Sequence, residues 1–573
     1  MKYSTCIVLS ALVLVSCSAL ADRVVVLHTN DSHAHIDDGR VAFSAIAVEK
    51  ARLKASGENV ILADAGDYVQ GTALGGFDEG KSVIDIMNAT GYDVATLGNH
   101  EFDYGIKTMF RNVRSAAFRT TSCNFVSRTS PDDPGTRVFP AYAIITSGTV
   151  RVAFVGVTTP TTLVSAKPST FLDPSGKWRA YDFIAGERGD ALYAVVQKAV
   201  NEAAAQADYT IVLGHMGVSP DCAGYRSVDV IAHTTNFVAF IDGHSHSEFT
   251  GTRVRNAAGK EVVLTQSGSY LGVLGELVFE NGQCVSAGTV FARGDKNAEV
   301  VRLEKRLEDA VERQLGVQIA TSATALYSYV PGTTERMARR EGCSAGDFVS
   351  DAAWWYANEK AAMACDFAIM NGGNVRADIP AGKVVLKDFR SVQPFAGSIG
   401  VVEANGRQVL EALEFGAQAA GEGEFGGFLH TAGLKYTINL AVKSALRTDE
   451  TGSWIAGPSN GVYRVGDVKV YNRATGTFVP LDLNAVYRVV GNAFTVVEGG
   501  DGFAMFRGAK VVENGLATDY LVLADYARAF AKGEDGMPRI STAGAPLASL
   551  PNYPIAYETP NGSGRISFKG IAR

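Results

Sequence analysis

Cysteine is scarce in this sequence, with seven in 573 residues, and its long spacings have no zinc-knuckle character. The halves share no repeat and there is no low-complexity tract, which sets aside solenoids and disordered arrays. No apolar run reaches the roughly 20 residues of a membrane-spanning helix, so no transmembrane segment is expected. Positive charge is not in excess either. Lys and Arg number 53 against 60 Asp and Glu, a net charge of -7. That balance argues against a nucleic-acid polymer or an anionic membrane as partner. A small anion stays compatible with it, because metals or arginines can invert the field inside a cleft. The closing stretch from Ile566 to Arg573 is mixed and charged, so no C-terminal lipid anchor is expected. What is present is an ordinary globular balance, 46% apolar and 20% charged. A single core seldom grows beyond roughly 250–300 residues, so this length predicts two domains.

Residues 1–21 read as an export signal. Lys2 supplies the positive start, Ile7 to Val15 the apolar stretch and Ala19-Leu20-Ala21 a small-x-small cleavage site. Cleavage near Ala21 predicts a secreted, periplasmic or cell-surface protein. Leu14-Val15-Ser16-Cys17 also has the form of a bacterial lipoprotein box, whose use would tether the chain through Cys17. Export without a tether is the expectation. Cys123, Cys222, Cys284, Cys343 and Cys365 then remain, and an odd number leaves at least one thiol outside any bridge. Their pairing is not readable from spacing.

From residue 22 to 295 short apolar runs alternate with amphipathic stretches. Val24 to Leu27, Val60 to Ala63, Val94 to Leu97, Val152 to Val157, Thr210 to Leu213 and Phe237 to Ile241 read as buried strands. Val41 to Leu53 and Ala191 to Ala205 read as helices between them. The alternation predicts a layered α/β domain. Within residues 296–318, Val300, Leu303, Leu307, Val311 and Leu315 recur at helical spacing, and this segment is read as a linker helix. Residues 319–573 form a second α/β unit with a chemistry of Arg, Asn, Gly and Phe.

Polar residues of one type follow the apolar runs. After Leu27 comes His28-Thr29-Asn30-Asp31-Ser32-His33, and after Ala63 comes Asp64-Ala65-Gly66-Asp67. Gly98-Asn99-His100-Glu101-Phe102-Asp103, Gly214-His215 and Asp242-Gly243-His244-Ser245-His246 follow three further runs. Ligands bind at the carboxyl ends of strands in α/β sheets, where loops converge. A single such cluster means little. Five at strand ends point to a metal site.

With these residues the chain resembles the calcineurin-like metallophosphoesterases, and more closely the 5'-nucleotidase family. The resemblance implies an α/β protein of two domains joined by a helix. The N-terminal one would be a four-layer αββα metallophosphoesterase domain, the C-terminal one an α/β substrate-binding domain. It also implies two divalent ions, zinc, manganese or similar. One would be held by Asp31, His33, Asp67 and His246, the other by Asp67, Asn99, His215 and His244, with Asp67 bridging. His246 departs from the Gln that nucleotidases often carry. Two such ions lower the pKa of a shared water and neutralise phosphoryl oxygens. His100 would contact the transferring phosphoryl group with Asp103 orienting its ring. Capping of the next helix is an alternative use for Asp103.

A nucleotide needs aromatic faces, ribose partners and cations for phosphate. By the same resemblance Arg376 and Arg339 would grip phosphate. Asn371 and Asp501 would bind the ribose, and Phe395 with Phe494 would sandwich the base. Arg340 could replace Arg339, and Phe494 stands one residue farther from Gly499-Gly500-Asp501 than the family spacing. Ligands and substrate readers then lie in different domains, which implies open and closed arrangements. The expected activity is hydrolysis of nucleoside 5'-monophosphates. Its alternatives are defined by other substrates: di- or triphosphates, UDP-sugars or 2',3'-cyclic nucleotides. A relative acting on sulfur esters and a catalytically silent nucleotide-binding surface protein are the remaining readings. The oligomeric state is not legible.

Overall fold

A computed structural model describes residues 23–570 except 38, 220, 221, 223, 291–293 and 450. The expected signal segment and Cys17 lie outside the described residues.

Twelve strands build the two large sheets of the first domain. They are β1 (Val24–Thr29), β2 (Val60–Asp64), β3 (Val94–Thr96), β4 (Arg119–Thr121), β5 (Tyr142–Ser147), β6 (Val150–Thr158), β7 (Tyr209–His215), β8 (Ala239–Ile241), β9 (Glu248–Arg255), β10 (Glu261–Ser267), β11 (Leu274–Glu280) and β12 (Gln283–Val290). Each sheet has six strands, ordered β12-β11-β1-β2-β3-β4 and β9-β10-β8-β7-β6-β5. In β1, Val24 and Val26 pack against Ile211, Leu213 and Ile241 of the other sheet. Val25 and Leu27 face the opposite way, onto helices α1 (Phe43–Ala55), α2 (Ala73–Phe77) and α3 (Lys81–Thr90). Burial on both faces is why these strands read as unbroken apolar runs.

On the far side, helices α4 (Asp190–Ala204) and α5 (Ser227–His233) place Leu192, Val196, Val200, Val230 and Ile231 against Val155, Val212 and Phe240. The order is therefore helix, sheet, sheet, helix. Helix α6 (Ala298–Leu315) starts where the Asn297 side chain accepts from the Glu299 and Val300 amides. Its Val300, Leu307 and Val311 enter the core beside α1 and α3.

In the second domain β13 (Phe367–Asn371), β14 (Ser398–Asn405), β15 (Leu429–Ala432), β16 (Val486–Asn492) and β17 (Lys510–Thr518) form a mixed sheet, ordered β15-β13-β16-β14-β17. One face packs Ala368, Met370, Val401 and Val490 with helices α7 (Ser344–Trp355), α8 (Leu386–Val392) and α10 (Asp519–Arg528). The other packs Phe367, Ile369, Val402 and Val489 on α9 (Gly406–Gly416). The architecture is two α/β domains. The five described cysteines are buried, and no disulfide joins any two of them.

Candidate metal centre and substrate cleft

The loops after β1, β2, β3, β7 and β8 meet at one edge of the two sheets. Backbone bonds stitch them together: the Asp31 amide donates to the Gly66 carbonyl and the His33 amide to that of Asp67, each at 2.9 Å. Glu101, 3% exposed, ties two loops at once. Its carboxylate accepts from the amides of Gly98 (2.7 Å), Asp67 and Tyr68 (2.9 Å each). Asp242 accepts from Met216 and Gly217, and Asn30 donates to Asp31 Oδ2 at 2.7 Å. Gly98 has to be glycine, because a Cβ there would collide with Asp67 Oδ1.

Five proposed ligands sit in the left-handed backbone region: Asp31 (φ 49°), His33 (49°), Asp67 (61°), His244 (78°) and His246 (57°). Non-glycine residues occupy it at a cost of roughly 1–2 kcal/mol, and such outliers gather at functional sites.

The side chains converge. His215 Nε2 lies 3.0 Å from Asp67 Oδ2, and His33 Nε2 lies 3.8 Å from that same oxygen. His33 Nε2 faces His246 Nε2 at 3.0 Å, and His246 Nε2 is 3.4 Å from Asp31 Oδ1. Asn99 Oδ1 is 2.9 Å from His244 Nδ1. The outer ring nitrogens are held by carbonyls, His33 Nδ1 by Gln70 and His215 Nδ1 by Ala65, both at 2.7 Å. That arrangement turns each Nε2 lone pair inward, as in metal-ligating histidines.

Two observations test whether this set fits cations. Buried His215 Nε2 makes no well-aligned hydrogen bond, although Asp67 Oδ2 stands 3.0 Å away. Against the effect of burial, the carboxylates of Asp67 and Asp31 push the His215 imidazole up to about 10, so the cluster favours a positive charge. The groups Asp31/His33/His246 and Asp67/His215/His244 each bring their ligand atoms within 4.8 Å of one another. These residues fit divalent ions, and a mixed nitrogen and oxygen donor set suits first-row metals better than calcium. His33, Asp67 and His100 make a third such group. A metal is disfavoured there because the Arg376 cation stands against His100 Nε2.

His100 Nδ1 meets Asp103 Oδ2 at 2.6 Å. The following helix, Ile106–Ser115, has Gly105 at its N-cap and no side-chain cap, so Asp103 is engaged with His100 rather than with that helix. Arg376 reaches from the second domain, its Nη2 3.2 Å from His100 Nε2 and its Nε donating to the Gly373 carbonyl at 2.6 Å. The Arg376 guanidinium lies over the Phe395 ring at 5.2 Å. Asn371 Nδ2 donates to Asp501 Oδ2 at 2.8 Å. All six expected substrate readers line one cleft of about 1720 Å³ together with Asp67, Asn99, His100, His244 and His246. The Arg339 guanidinium faces that cleft without a hydrogen bond or ion pair among the described residues, while Arg340 is turned outward to Glu335 at 2.6 Å. Burial and the charges of Arg336 and Arg376 push Arg339 down to about 9. Phe494 packs its ring over Gly500, where a Cβ would collide with it.

Sequence reading missed Arg336, whose Nη1 lies 3.4 Å from His246 Nδ1, and its partner Glu424. It also missed Tyr270, whose ring contacts His33 at 5.6 Å and His246 at 5.4 Å. Arg336 stands three residues before Arg339, one helical turn, which was the only signal available.

The comparisons with known proteins follow this division. The calcineurin-like phosphoesterase family matches residues 24–248, and the 5'-nucleotidase C-terminal domain family matches residues 318–508. A snake venom 5'-nucleotidase of Crotalus adamanteus is 26% identical over 557 residues, spanning 90% of this chain and 88% of its own. A 5'-nucleotidase of Homo sapiens is 25% identical over 551 residues, spanning 89% of each. The crystal structure of a 5'-nucleotidase precursor from Thermus thermophilus superposes with a TM-score of 0.73 at 25% identity. It covers 96% of this chain and 100% of that one. Matched in order in its two domains, and aligned with relatives over about nine-tenths of its length, the chain joins a calcineurin-like phosphoesterase domain to a 5'-nucleotidase C-terminal domain.

Proposed function

We propose that this protein hydrolyses nucleoside 5'-monophosphates to nucleoside and phosphate after export, with cleavage of its leader near Ala21. Residues 22–295 carry the chemistry, residues 296–318 link, and residues 319–573 read the nucleotide. Asp31, His33, Asp67 and His246 hold one divalent ion, and Asp67, Asn99, His215 and His244 hold the other. Bound there, zinc, manganese or a similar ion neutralises phosphoryl oxygens and acidifies a water.

The observation that carries the reading is the 3.2 Å approach of Arg376 Nη2 to His100 Nε2. It brings a phosphate-binding cation of one domain to the edge of the donor cluster of the other. Asp103 accepts from His100 Nδ1 and holds the ring, so that Nε2, when it carries a proton of its own, donates it to the phosphoryl or leaving oxygen. Arg376 and Arg339 supply charge-assisted bonds to the phosphate. Asn371 and Asp501 orient the ribose, and Phe395 and Phe494 receive the base.

The test is phosphate release from AMP, ADP, ATP, UDP-glucose and phenyl phosphate, with manganese or zinc, after chelation, and with Asp67→Ala. Metal-dependent release from AMP that vanishes in the variant is expected. Equal turnover of phenyl phosphate would overturn the role given to the second domain.

A further inference from the structure

A line of rings gives the cleft a direction. The rings step from Phe395 to His100 at 5.7 Å, from His100 to His33 at 5.1 Å and from His33 to His246 at 4.9 Å. Arg336 stands beyond His246. A nucleoside held at Phe395 with its first phosphate at the donor cluster would therefore extend any further phosphate toward Arg336.

Arg336 is already engaged. Its amide donates to Glu424 Oε1 at 3.0 Å and its Nε to Glu424 Oε2 at 2.6 Å. Glu424 is itself firmly placed. The loop that carries it follows α9, and the buried Arg464 guanidinium holds the start of that loop. Arg464 donates to the carbonyls of Ala417 (2.9 Å), Gln418 (2.8 Å) and Ala420 (3.0 Å). The far end is stitched to the two phosphate-reading segments. Phe425 donates its amide to the Arg339 carbonyl at 3.0 Å, and the Gly373 amide donates to the Gly426 carbonyl at 2.7 Å. Of the three cleft guanidinium groups whose charges bear on His246, Arg336 is neutralised, and Arg339 and Arg376 are left for phosphate.

We propose that Glu424 sets the length of phosphate chain the cleft accepts, by cancelling Arg336 and placing a carboxylate where a second phosphate would lie. This rests on the nucleotide reading above and narrows it: nucleotides with one phosphate are admitted, those with two or three are repelled. Like charges held close together in a partly dewatered cleft act strongly on selectivity.

The test compares kcat/KM for ADP and AMP in the metal-loaded wild type, Glu424→Gln, Glu422→Gln and the double variant Glu424→Gln/Arg336→Gln. Circular dichroism and melting confirm the fold of each. The ratio of ADP to AMP is expected to rise about tenfold or more in Glu424→Gln, equivalent to about 1.4 kcal/mol. It should stay near wild type for Glu422→Gln and return toward wild type in the double variant, which restores the net charge. An unchanged ratio in Glu424→Gln, or an equal rise in Glu422→Gln, overturns the proposal. If no variant and no wild type turns over AMP, the nucleotidase reading fails. The ratio of ADP and AMP dissociation constants from calorimetry then judges Glu424 by the same criteria.

Discussion

His100 has one ring nitrogen committed to Asp103 and the other facing Arg376 and the cleft. Asp103→Asn keeps the shape but exchanges a charged acceptor for a neutral amide. The expected outcome is a fall of roughly a hundredfold in kcat for AMP. KM and metal content, the latter read by mass spectrometry, should stay close to wild type. Loss of metal would mean that Asp103 acts on the donor cluster instead. The backbone of the ligands offers a second residue-level test. His246 sits at φ 57°, where glycine is at ease and alanine is not. In metal-free protein His246→Gly should therefore be more stable than His246→Ala by about 1 kcal/mol. Both side chains lack the imidazole, so denaturant unfolding reports the backbone alone. Equal stabilities would mean that the loop relaxes when the ring is removed.

At the level of elements, helix α10 begins on a buried carboxyl. Burial pushes Asp519 up to about 7, opposed by bonds from the Tyr520 amide and from Asn374 Nδ2. A raised carboxyl binds its proton more tightly when folded, so stability falls as pH climbs from the ordinary carboxylate value toward 7. Asp519→Asn removes that loss. It should melt above the parent at pH 8 and differ little near pH 4; the same offset at both pH values would assign the effect to packing. The elements themselves were largely legible. The strands around Val26, Leu62 and Leu213 are buried on both faces, so their apolar runs stand out, and the ligand loops follow directly from their ends. Helix α6 announced itself through Val300, Leu307 and Val311. Arg336 and Glu424 were not legible, because they meet 88 residues apart and Arg336 reaches His246 across the domain boundary; Tyr270 closes on His246 from 24 residues on and on His33 from the far end of the domain, and no local period encodes such meetings.

On the scale of the whole molecule, the cleft lies between domains joined across their boundary by sparse polar contacts. Arg390 Nη2 donates to the Gly76 carbonyl at 3.1 Å, and Lys387 lies 3.6 Å from Glu312. Near the cleft wall, the Ser169 amide meets Glu498 at 3.3 Å, with Lys167 at 3.7 Å. Contacts of this kind are weaker than a packed apolar core and permit relative motion. Arg390→Ala should enlarge the radius of gyration in X-ray scattering without nucleotide, with AMP narrowing the difference. Superimposable profiles would tell against a hinge held at that contact. The buried thiols have a consequence of another kind. No bond between Cys123, Cys222, Cys284, Cys343 and Cys365 closes a loop in this chain. Among the described residues, then, no cross-link trims the unfolded ensemble, and the folded state draws its stability from packing and hydrogen bonds. A thiol reductant should therefore leave the melting temperature of the folded protein unchanged.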